Sequence, residues 1–213
     1  ILEDAAQGFG GQIDDRLAGS FGDAASTSFF PAKPLGCYGD GGAIFTDDDE
    51  LYEKLLSVRV HGKGGDKYDN IRIGINGRMD TLQAAIVLEK FTLFPGEVTL
   101  RNEVAAKYNE LLISRVVVPQ VADGYTSVWA QYSILAKDAD DRATLQAKLK
   151  DAGIPSAVYY PKPLHQQTAF NHLSYQDGDF PVSEEMSQRI FSLPMHPYLE
   201  TADIETICGV INE

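Results

Sequence analysis

Short hydrophobic runs separated by glycine-rich connectors make up the first third of the chain. Runs of this length are typical of strands that are buried on both faces of a sheet. The sequence predicts strands of this kind over Ile1–Ala6, Asp23–Phe30 and Gly42–Thr46. The spacing then changes, because Leu51, Leu55 and Val58 recur three and four residues apart and predict a helix over Glu50–Val58.

Helical spacing continues in the middle of the chain. Met79, Leu82 and Ile86 predict a second helix, which we expect Pro95 and Gly96 to interrupt. Beyond this break the patterns predict a third helix and then mixed strands and helices: Arg101–Leu112, Val116–Pro119, Ser127–Ala136, Asp141–Ala152, Ser156–Tyr160, Ser183–Phe191 and a last helix capped by Thr201. Such a mixture is typical of a small α+β domain. We therefore expect one domain over residues 1–95 and a second over residues 96–213.

Charge and cysteine content limit the classes of partner. The formal net charge of −13 disfavours binding to nucleic acid or to an anionic membrane, because both need a cationic surface. Cys37 and Cys208 are the only cysteines and lie far apart, which favours a reducing, cytosolic compartment over a disulfide framework. The sequence starts at Ile1, inside a strand pattern and without an initiator Met, so we expect it to be part of a longer protein.

Two charged residues that follow predicted strands are candidates for chemistry. Lys33 lies in a loop stiffened by Pro31 and Pro34, and a catalytic amine needs such fixed placement. Asp4 ends the first strand, and ligand sites in open α/β sheets gather at the carboxyl ends of strands. The link over residues 7–22 shows no helical pattern, so we expect the two strands to lie close together. Asp4 and Lys33 then form either a buried ion pair or a pair of charges around a pyridinium ring.

Four motifs in a fixed order carry a family resemblance. They are Glu-Asp-Ala-Ala-Gln from residue 3, Ser-Phe-Phe-Pro-Ala-Lys-Pro-Leu-Gly from residue 28, Gly-Asp-Gly-Gly-Ala from residue 39 and Asn-Gly-Arg-Met-Asp from residue 76. The set resembles the DegT/DnrJ/StrS family of sugar-nucleotide aminotransferases, which use pyridoxal 5′-phosphate (PLP). The resemblance implies a fold-type I α/β architecture, with the C-terminal part of the large mixed-sheet domain followed by a small α+β domain. Family members carry roughly 150 further residues, about one domain, in front of the matched region.

The resemblance also implies roles for single residues around the cofactor. Lys33 matches the family lysine that holds PLP covalently, and Asp4 matches the aspartate that keeps the pyridine nitrogen protonated. Gln7 matches a residue that packs against the ring, and Ser28 matches a phosphate ligand. Asn76 resembles the asparagine that reaches the phosphate from the neighbouring subunit, which implies a homodimer with a shared active site.

Substrate contacts are implied at two further positions. Arg78 is expected to bind a substrate anion through its bidentate guanidinium, with a structural salt bridge as the alternative. Tyr160 matches the region of the small domain that faces the sugar nucleotide, whereas Tyr159 stands where relatives often have His. His165 is expected to make a structural hydrogen bond.

The implied reaction is transamination of a keto-sugar nucleotide. The motif residues most resemble enzymes that act on UDP-2-acetamido-2-deoxy-3-oxo-glucuronate in bacterial surface-polysaccharide (lipopolysaccharide) synthesis, with L-glutamate as the amino donor. The alternatives are a 3- or 4-keto-6-deoxy sugar nucleotide as substrate, or a non-catalytic PLP-binding regulatory homologue. The turn at residues 8–11 lacks the Gly-x-Gly-x-x-Gly spacing that a nicotinamide dehydrogenase needs.

Overall fold

The computed structural model describes residues 1–66 and 68–213. They fold into strands and helices in a mixed order, which we number along the chain. The strands are β1 (Leu2–Asp4), β2 (Gln12–Ile13), β3 (Arg16–Leu17), β4 (Ala24–Ser28), β5 (Gly42–Phe45), β6 (Tyr125–Thr126), β7 (Tyr132–Leu135) and β8 (Ile190–Leu193). The α-helices are α1 (Asp49–Arg59), α2 (Thr81–Leu112), α3 (Ala139–Asp151), α4 (Pro181–Arg189) and α5 (Thr201–Asn212).

A mixed three-stranded sheet in the order β1-β4-β5 contains the strands predicted near the start of the chain. β1 and β4 run parallel, and β4 and β5 run antiparallel. The link between β1 and β4 contains no helix; it contains β2 and β3, which pair with each other and with β6. Parallel neighbours joined without a crossover helix confirm the expectation that these two strands lie close together.

The predicted burial of the first strand on both faces is wrong for the described residues. Ile1 and Leu2 are 88% and 75% exposed. The physical reason is that, among the described elements, β1 packs extensively only against β4, so no helix covers the faces of this strand. In β4, the central strand, the prediction is confirmed for one face only, since Ala25 and Thr27 are buried and the residues that alternate with them are half-buried.

The long helix α2 corrects a second prediction. The sequence predicts two helices separated at Pro95 and Gly96, whereas the structure shows one helix of 32 residues with Pro95 inside it. A proline removes one backbone hydrogen bond, but its φ angle suits a helix. Phe94, directly before the proline, is only 3% exposed. Burial of such side chains offsets the lost hydrogen bond and keeps the helix continuous.

The C-terminal part of the chain contains a two-stranded antiparallel sheet, β7 with β8, and the helix α3, which packs against α4 and α5. Its core is formed by fully buried side chains: Tyr108, Leu112, Tyr132, Ile134, Leu145, Leu149, Phe191 and Ile211. The stripe predicted for the last helix is confirmed, because Ile204, Ile207 and Ile211 are all buried. The cap predicted at Thr201 is wrong, since Thr201 is the first residue of the helix and Glu200 is its N-cap.

Two predicted strands of this part are reduced to single bridges. Over Val116–Pro119 only Val117 pairs, with Leu135, and over Ser156–Tyr160 only Ala157 pairs, with Ser192. Pro119 ends the first segment, Pro155 and Pro161 flank the second, and a proline cannot donate to a strand ladder. The predicted helix over Ser183–Phe191 is confirmed in part, because it ends at Arg189 and the chain continues as β8.

The chain divides into two compact units. The first comprises Ile1–Thr99 with Val121–Ala130, and the second comprises Leu100–Gln120 with Gln131–Glu213. The division falls within α2, and the segment 121–130 packs with the first unit. The predicted domain boundary near residue 96 stays a prediction about the domains of the protein. Among the described residues, no helix has both the length and the hydrophobicity needed to cross a membrane.

Candidate active site

The carboxyl ends of β1 and β4 lie side by side in the first unit. Asp4, the last residue of β1, is in register with Ser26 of β4. Beyond this pair, the backbone amide of Ala5 donates to the carbonyl of Ser26 over 2.8 Å, and the hydroxyl of Thr27 donates to the carbonyl of Ala5 over 3.2 Å. These bonds hold the residues that follow β1 and β4 close together, at the carboxyl ends of the two strands.

The carboxylate of Asp4 and the amine of Lys33 remain available to a ligand. Asp4 is exposed, and one of its carboxylate oxygens accepts a hydrogen bond from the backbone amide of Ala6 over 3.0 Å. Lys33 is half-buried. Within the described residues, neither side chain forms an ion pair. The interpretation of the two as a buried ion pair is therefore wrong.

Lys33 lies in a closed loop over residues 29–41, which we call the lysine loop. Its ends are joined by hydrogen bonds from the amide of Phe29 to the carbonyl of Gly41 and from the amide of Cys37 to the carbonyl of Phe29, both over 2.8 Å. Lys33 itself is in a tight turn, because its amide donates to the carbonyl of Phe30 over 2.8 Å. Ser28 lies at the base of the loop, where its hydroxyl accepts a hydrogen bond from the amide of Phe30 over 3.2 Å.

The far side of the lysine loop is buried. Leu35 and Cys37 are 3% and 1% exposed and belong to a hydrophobic cluster with Phe29, Val87 and Phe94. The thiol of Cys37 lies 2.9 Å from the carbonyl oxygen of Phe29, so it also contacts the backbone of its own loop. Packing of this density leaves the loop little freedom to move.

Two polar residues of α2 also hold the lysine loop. The amine of Lys90 donates to the carbonyl of Gly36, and the side-chain oxygen of Gln83 accepts from the amide of Tyr38 over 2.8 Å. Sequence reasoning missed both. A signal was present, because Gln83, Val87, Lys90 and Phe94 follow one another at intervals of four, three and four residues and share one helix face. Polar residues within a buried stripe need partners, and here the partners are backbone groups.

A second segment, the described residues of 60–78, carries Asn76 and Arg78; we call it the exposed arm. Asn76 forms an isolated backbone bridge with Val60. His61 has a left-handed backbone with φ +61°, and its ring nitrogen Nε2 lies 3.1 Å from the guanidinium of Arg78. Arginine has only donors, so in this contact the guanidinium donates and Nε2 accepts. The alternative of a structural salt bridge for Arg78 is wrong within the described residues, since its partner is a histidine.

Gln7, Tyr160 and His165 complete the set of predicted residues. Gln7 follows Asp4 in the turn that leaves β1, and it is exposed. Tyr160 belongs to the second unit and is 63% exposed. His165 makes the structural hydrogen bond that the sequence predicts, because its Nε2 lies 2.9 Å from a carboxylate oxygen of Glu184. No hydrogen bond or ion pair of the described residues joins Asn76 or Arg78 to Asp4, Ser28 or Lys33.

The groups at the sheet edge fit the chemical demands of PLP. The cofactor needs an amine that reacts with its aldehyde, an anion beside its ring nitrogen and hydrogen-bond donors for its phosphate. Lys33 provides the amine on a fixed loop, Asp4 provides a carboxylate without a competing cation, and Ser28 provides a hydroxyl at the end of β4.

Comparison with known proteins gives a consistent result. The model of the DegT/DnrJ/EryC1/StrS aminotransferase family matches residues 1–212. The UDP-2-acetamido-2-deoxy-3-oxo-D-glucuronate aminotransferase of Pseudomonas aeruginosa is 45% identical over 213 residues, covering 99% of this chain and 57% of its own length. A crystal structure of a DegT DnrJ EryC1 StrS aminotransferase from Brucella abortus is 54% identical with a TM-score of 0.94, covering 100% of this chain and 56% of that one.

A further solved structure contains the cofactor. NtdA from Bacillus subtilis with bound cofactor PMP is 30% identical with a TM-score of 0.86, covering 100% of this chain and 50% of that one. The chain therefore spans a little over half the length of the Pseudomonas and Brucella relatives and half the length of NtdA.

Proposed function

Because the chain belongs to the DegT/DnrJ/EryC1/StrS aminotransferase family, a family of PLP-dependent enzymes, we propose that the whole protein transfers the amino group of L-glutamate to UDP-2-acetamido-2-deoxy-3-oxo-glucuronate. One observation carries the proposal beyond family membership. The register of β1 with β4 brings Asp4 to the end of the sheet where β4 leads into the lysine loop, and among the described residues neither Asp4 nor Lys33 forms an ion pair.

The first role belongs to Asp4. PLP supplies an electron-withdrawing ring that stabilises negative charge at the Cα atom of a bound amino acid, provided that its ring nitrogen is protonated. A carboxylate beside that nitrogen favours the protonated state. The hydrogen bond from Ala6 to Asp4 fixes the orientation of this carboxylate.

Lys33 has two roles in the proposal. Its amine holds the cofactor between turnovers and, once released, moves the proton at the Cα atom of the amino donor. Positioned proton transfer of this kind typically contributes about 10²- to 10⁴-fold to a rate. The lysine loop serves this step by fixing the backbone from which the Lys33 side chain reaches the cofactor, since the loop is closed by hydrogen bonds between its ends.

Phosphate and ring contacts come from three further residues. Ser28 provides a hydroxyl for the phosphate, and Gln7 packs against the ring beside Asp4. Asn76 reaches the phosphate of a neighbouring subunit, which is consistent with its exposed position in the arm and with the absence, among the described residues, of a hydrogen bond to Ser28 or Lys33. The protein would therefore act as a homodimer with shared active sites.

Substrate selection is assigned to Arg78 and Tyr160. The guanidinium of Arg78 matches a carboxylate in a bidentate geometry, and the uronate has such a group whereas a 6-deoxy sugar does not. Tyr160 offers an exposed aromatic ring to the sugar nucleotide. We further propose that the reaction takes place in the cytosol and serves the synthesis of bacterial surface polysaccharides.

The first experiment is borohydride reduction of the whole protein purified with PLP, followed by peptide mass mapping. A pyridoxyl group on Lys33 is the expected result, and Lys33→Ala is expected to lose both the modification and turnover. Lys54→Ala is the matched control, because Lys54 lies in α1 of the same unit and pairs with Glu50. An unmodified Lys33 in a PLP-saturated sample contradicts the proposal, whatever the substrate.

The second experiment identifies the sugar. Turnover of the 3-oxo-uronate is compared with that of a 3-keto-6-deoxy sugar nucleotide, with L-glutamate as donor in both assays. Preference for the uronate supports the assignment of Arg78. Preference for the deoxy sugar would leave the assignment as an aminotransferase unchanged and would identify the deoxy sugar nucleotide as the substrate.

A further inference from the structure

We propose that Lys90 and Gln83 are positioning residues of the transamination, which act on Lys33 through the backbone of the lysine loop. The proposal rests on the proposed role of Lys33. Neither residue lies in the four motifs, and each side chain is hydrogen-bonded to the backbone of the lysine loop.

The two contacts are made to backbone groups on both sides of one buried residue. Lys90 donates to the carbonyl of Gly36, and Gln83 accepts from the amide of Tyr38. Cys37 lies between them and is 1% exposed. Lys90 follows Gln83 by seven positions in the helix, a rise of about 10 Å along the axis. The loop is therefore held at two separate points of a rigid element, which restrains its rotation as well as its translation.

The positions of both residues indicate what their polar groups do. Val87 and Phe94 share their helix face and are buried in the cluster that contains Cys37. Apolar side chains would fill this face equally well, and burying a polar group without a partner costs free energy. The amine of Lys90 also lies 5.8 Å from the centre of the Tyr38 ring. We therefore infer that the polar groups of Lys90 and Gln83 serve to bind the lysine loop and not merely to fill space in the hydrophobic cluster.

Fixed placement of an amine matters for proton transfer, because a displacement of about 1 Å can cost roughly 100-fold in rate. Gly36 is three residues after Lys33, with only Pro34 and Leu35 between them. Movement of the Gly36 carbonyl would consequently be transmitted to Lys33 over a very short path. Loss of either contact should lower kcat and leave the KM for L-glutamate largely unchanged.

The test uses the whole protein with PLP and the variants Lys90→Met and Gln83→Leu. Each removes one contact and keeps the approximate size of the side chain. Lys90→Arg keeps a donor, and Gln83→Glu keeps the acceptor oxygen, so these variants should retain most of the activity. Lys54→Met is the matched control for a lysine in α1.

The primary readout is independent of catalysis. Alkylation of Cys37 by iodoacetamide is followed by mass spectrometry of its peptide, with the Cys208 peptide as internal reference, because Cys208 is buried in the second unit. Lys90→Met and Gln83→Leu should raise the labelling rate of Cys37 about tenfold and leave that of Cys208 unchanged. In the same samples kcat should fall about tenfold, with KM changed less than about twofold.

Three outcomes overturn the proposal. The first is wild-type labelling and kcat in both Lys90→Met and Gln83→Leu. The second is a parallel rise in the labelling of Cys37 and Cys208, which indicates general destabilisation. The third is a loss of kcat in Lys90→Arg or Gln83→Glu as large as in the non-bonding variants. If Lys90→Met does not fold, the proposal is tested by comparing Gln83→Leu with Gln83→Glu in the labelling of Cys37 and in kcat. Failure of the proposed function is distinct, because it appears in the wild type as an unmodified Lys33.

Discussion

The lysine loop and the exposed arm both lie in the first unit, and they are held in different ways. Leu35 and Cys37 bury the inner side of the lysine loop in a hydrophobic cluster. In the arm, Ile73 and Tyr68 are 99% and 84% exposed, and the chain is held mostly by backbone hydrogen bonds. The residue that performs proton transfer in the proposal therefore lies on the segment with a buried inner side, and the residues proposed to reach another molecule lie on the segment with exposed side chains.

The backbone of the arm is nevertheless well defined. The amide of Gly62 donates to the carbonyl of Ser57 over 2.8 Å, and the amide of Arg72 donates to the carbonyl of Gly62 over 3.1 Å. Gly62 has φ +76°, and a Cβ added there would lie 1.8 Å from the carbonyl oxygen of Arg72. From this comparison we expect substitutions in the lysine loop to lower kcat by disturbing the packing that holds Lys33. Most substitutions in the arm should affect only the contacts that the substituted side chain makes.

The largest effect on kcat that we expect from a substitution testing this comparison comes from adding one methyl group to the lysine loop at Gly36. A Cβ at Gly36 would lie 2.7 Å from the carbonyl oxygens of both Phe30 and Pro31, so Gly36→Ala must displace the backbone beside Lys33. We expect kcat to fall about 100-fold, because a displacement of about 1 Å has this effect on a positioned catalytic group. Steady-state kinetics of the whole protein measures the change.

Gly65→Ala in the arm is the matched substitution. A Cβ at Gly65 meets nothing within 4 Å, and its φ angle is not in the left-handed region. We expect unchanged kcat and, because alanine restricts the unfolded chain, a stability equal to or slightly above that of the wild type. If Gly36→Ala and Gly65→Ala changed kcat to the same extent, backbone packing in the lysine loop would matter no more for the reaction than backbone packing in the arm.

Sequence reasoning was most successful where local pattern and topology together determine the result. Asp4 and Lys33 follow strands, the link between those strands has no helical pattern, and their parallel pairing then places both residues at one sheet edge. The three strands of this sheet and the helix α1 were predicted within one or two residues of their ends. These features depend on short stretches of chain and on one well-established rule about strand ends.

Sequence reasoning failed where distant contacts override local preference. Pro95 predicts a break, but burial of Phe94 and its neighbours keeps α2 continuous. The contacts of Gln83 and Lys90 join residues 45 and 54 positions apart, and no local pattern specifies which backbone group a side chain will reach. The pairing of Arg78 with His61 was missed for the same reason, since it depends on the left-handed backbone at His61.

The second prediction tests whether the arm contributes through its side chains. Arg78→Leu removes the guanidinium assigned to the sugar carboxylate and leaves the backbone of the arm unchanged. We expect KM for the uronate to rise about 10- to 150-fold, because a hydrogen bond to a charged group is worth about 1.5–3 kcal/mol. Arg78→Lys should be intermediate, since it keeps the charge and loses the bidentate geometry. A similar rise in KM for a 6-deoxy substrate would contradict the assignment.

The smallest expected effect concerns the backbone of the arm itself. Ser57 is buried, its hydroxyl donates to the carbonyl of Lys63 over 2.7 Å, and it accepts from the guanidinium of Arg72 over 3.2 Å. Ser57→Ala should weaken local stability by about 1 kcal/mol, the net value of a typical hydrogen bond. Hydrogen–deuterium exchange should accordingly rise several-fold for amides of the arm and remain unchanged in the lysine loop.

Ser20→Ala is the control for this last measurement. The hydroxyl of Ser20 makes one local hydrogen bond, to the carbonyl of Leu17 over 2.7 Å, at an exposed position outside both segments. It should leave exchange in the loop and the arm at wild-type rates. If Ser57→Ala accelerates exchange in the lysine loop as strongly as in the arm, the two segments open together. The rigidity of the lysine loop would then depend on the arm, in addition to the cluster around Cys37 and the contacts from α2.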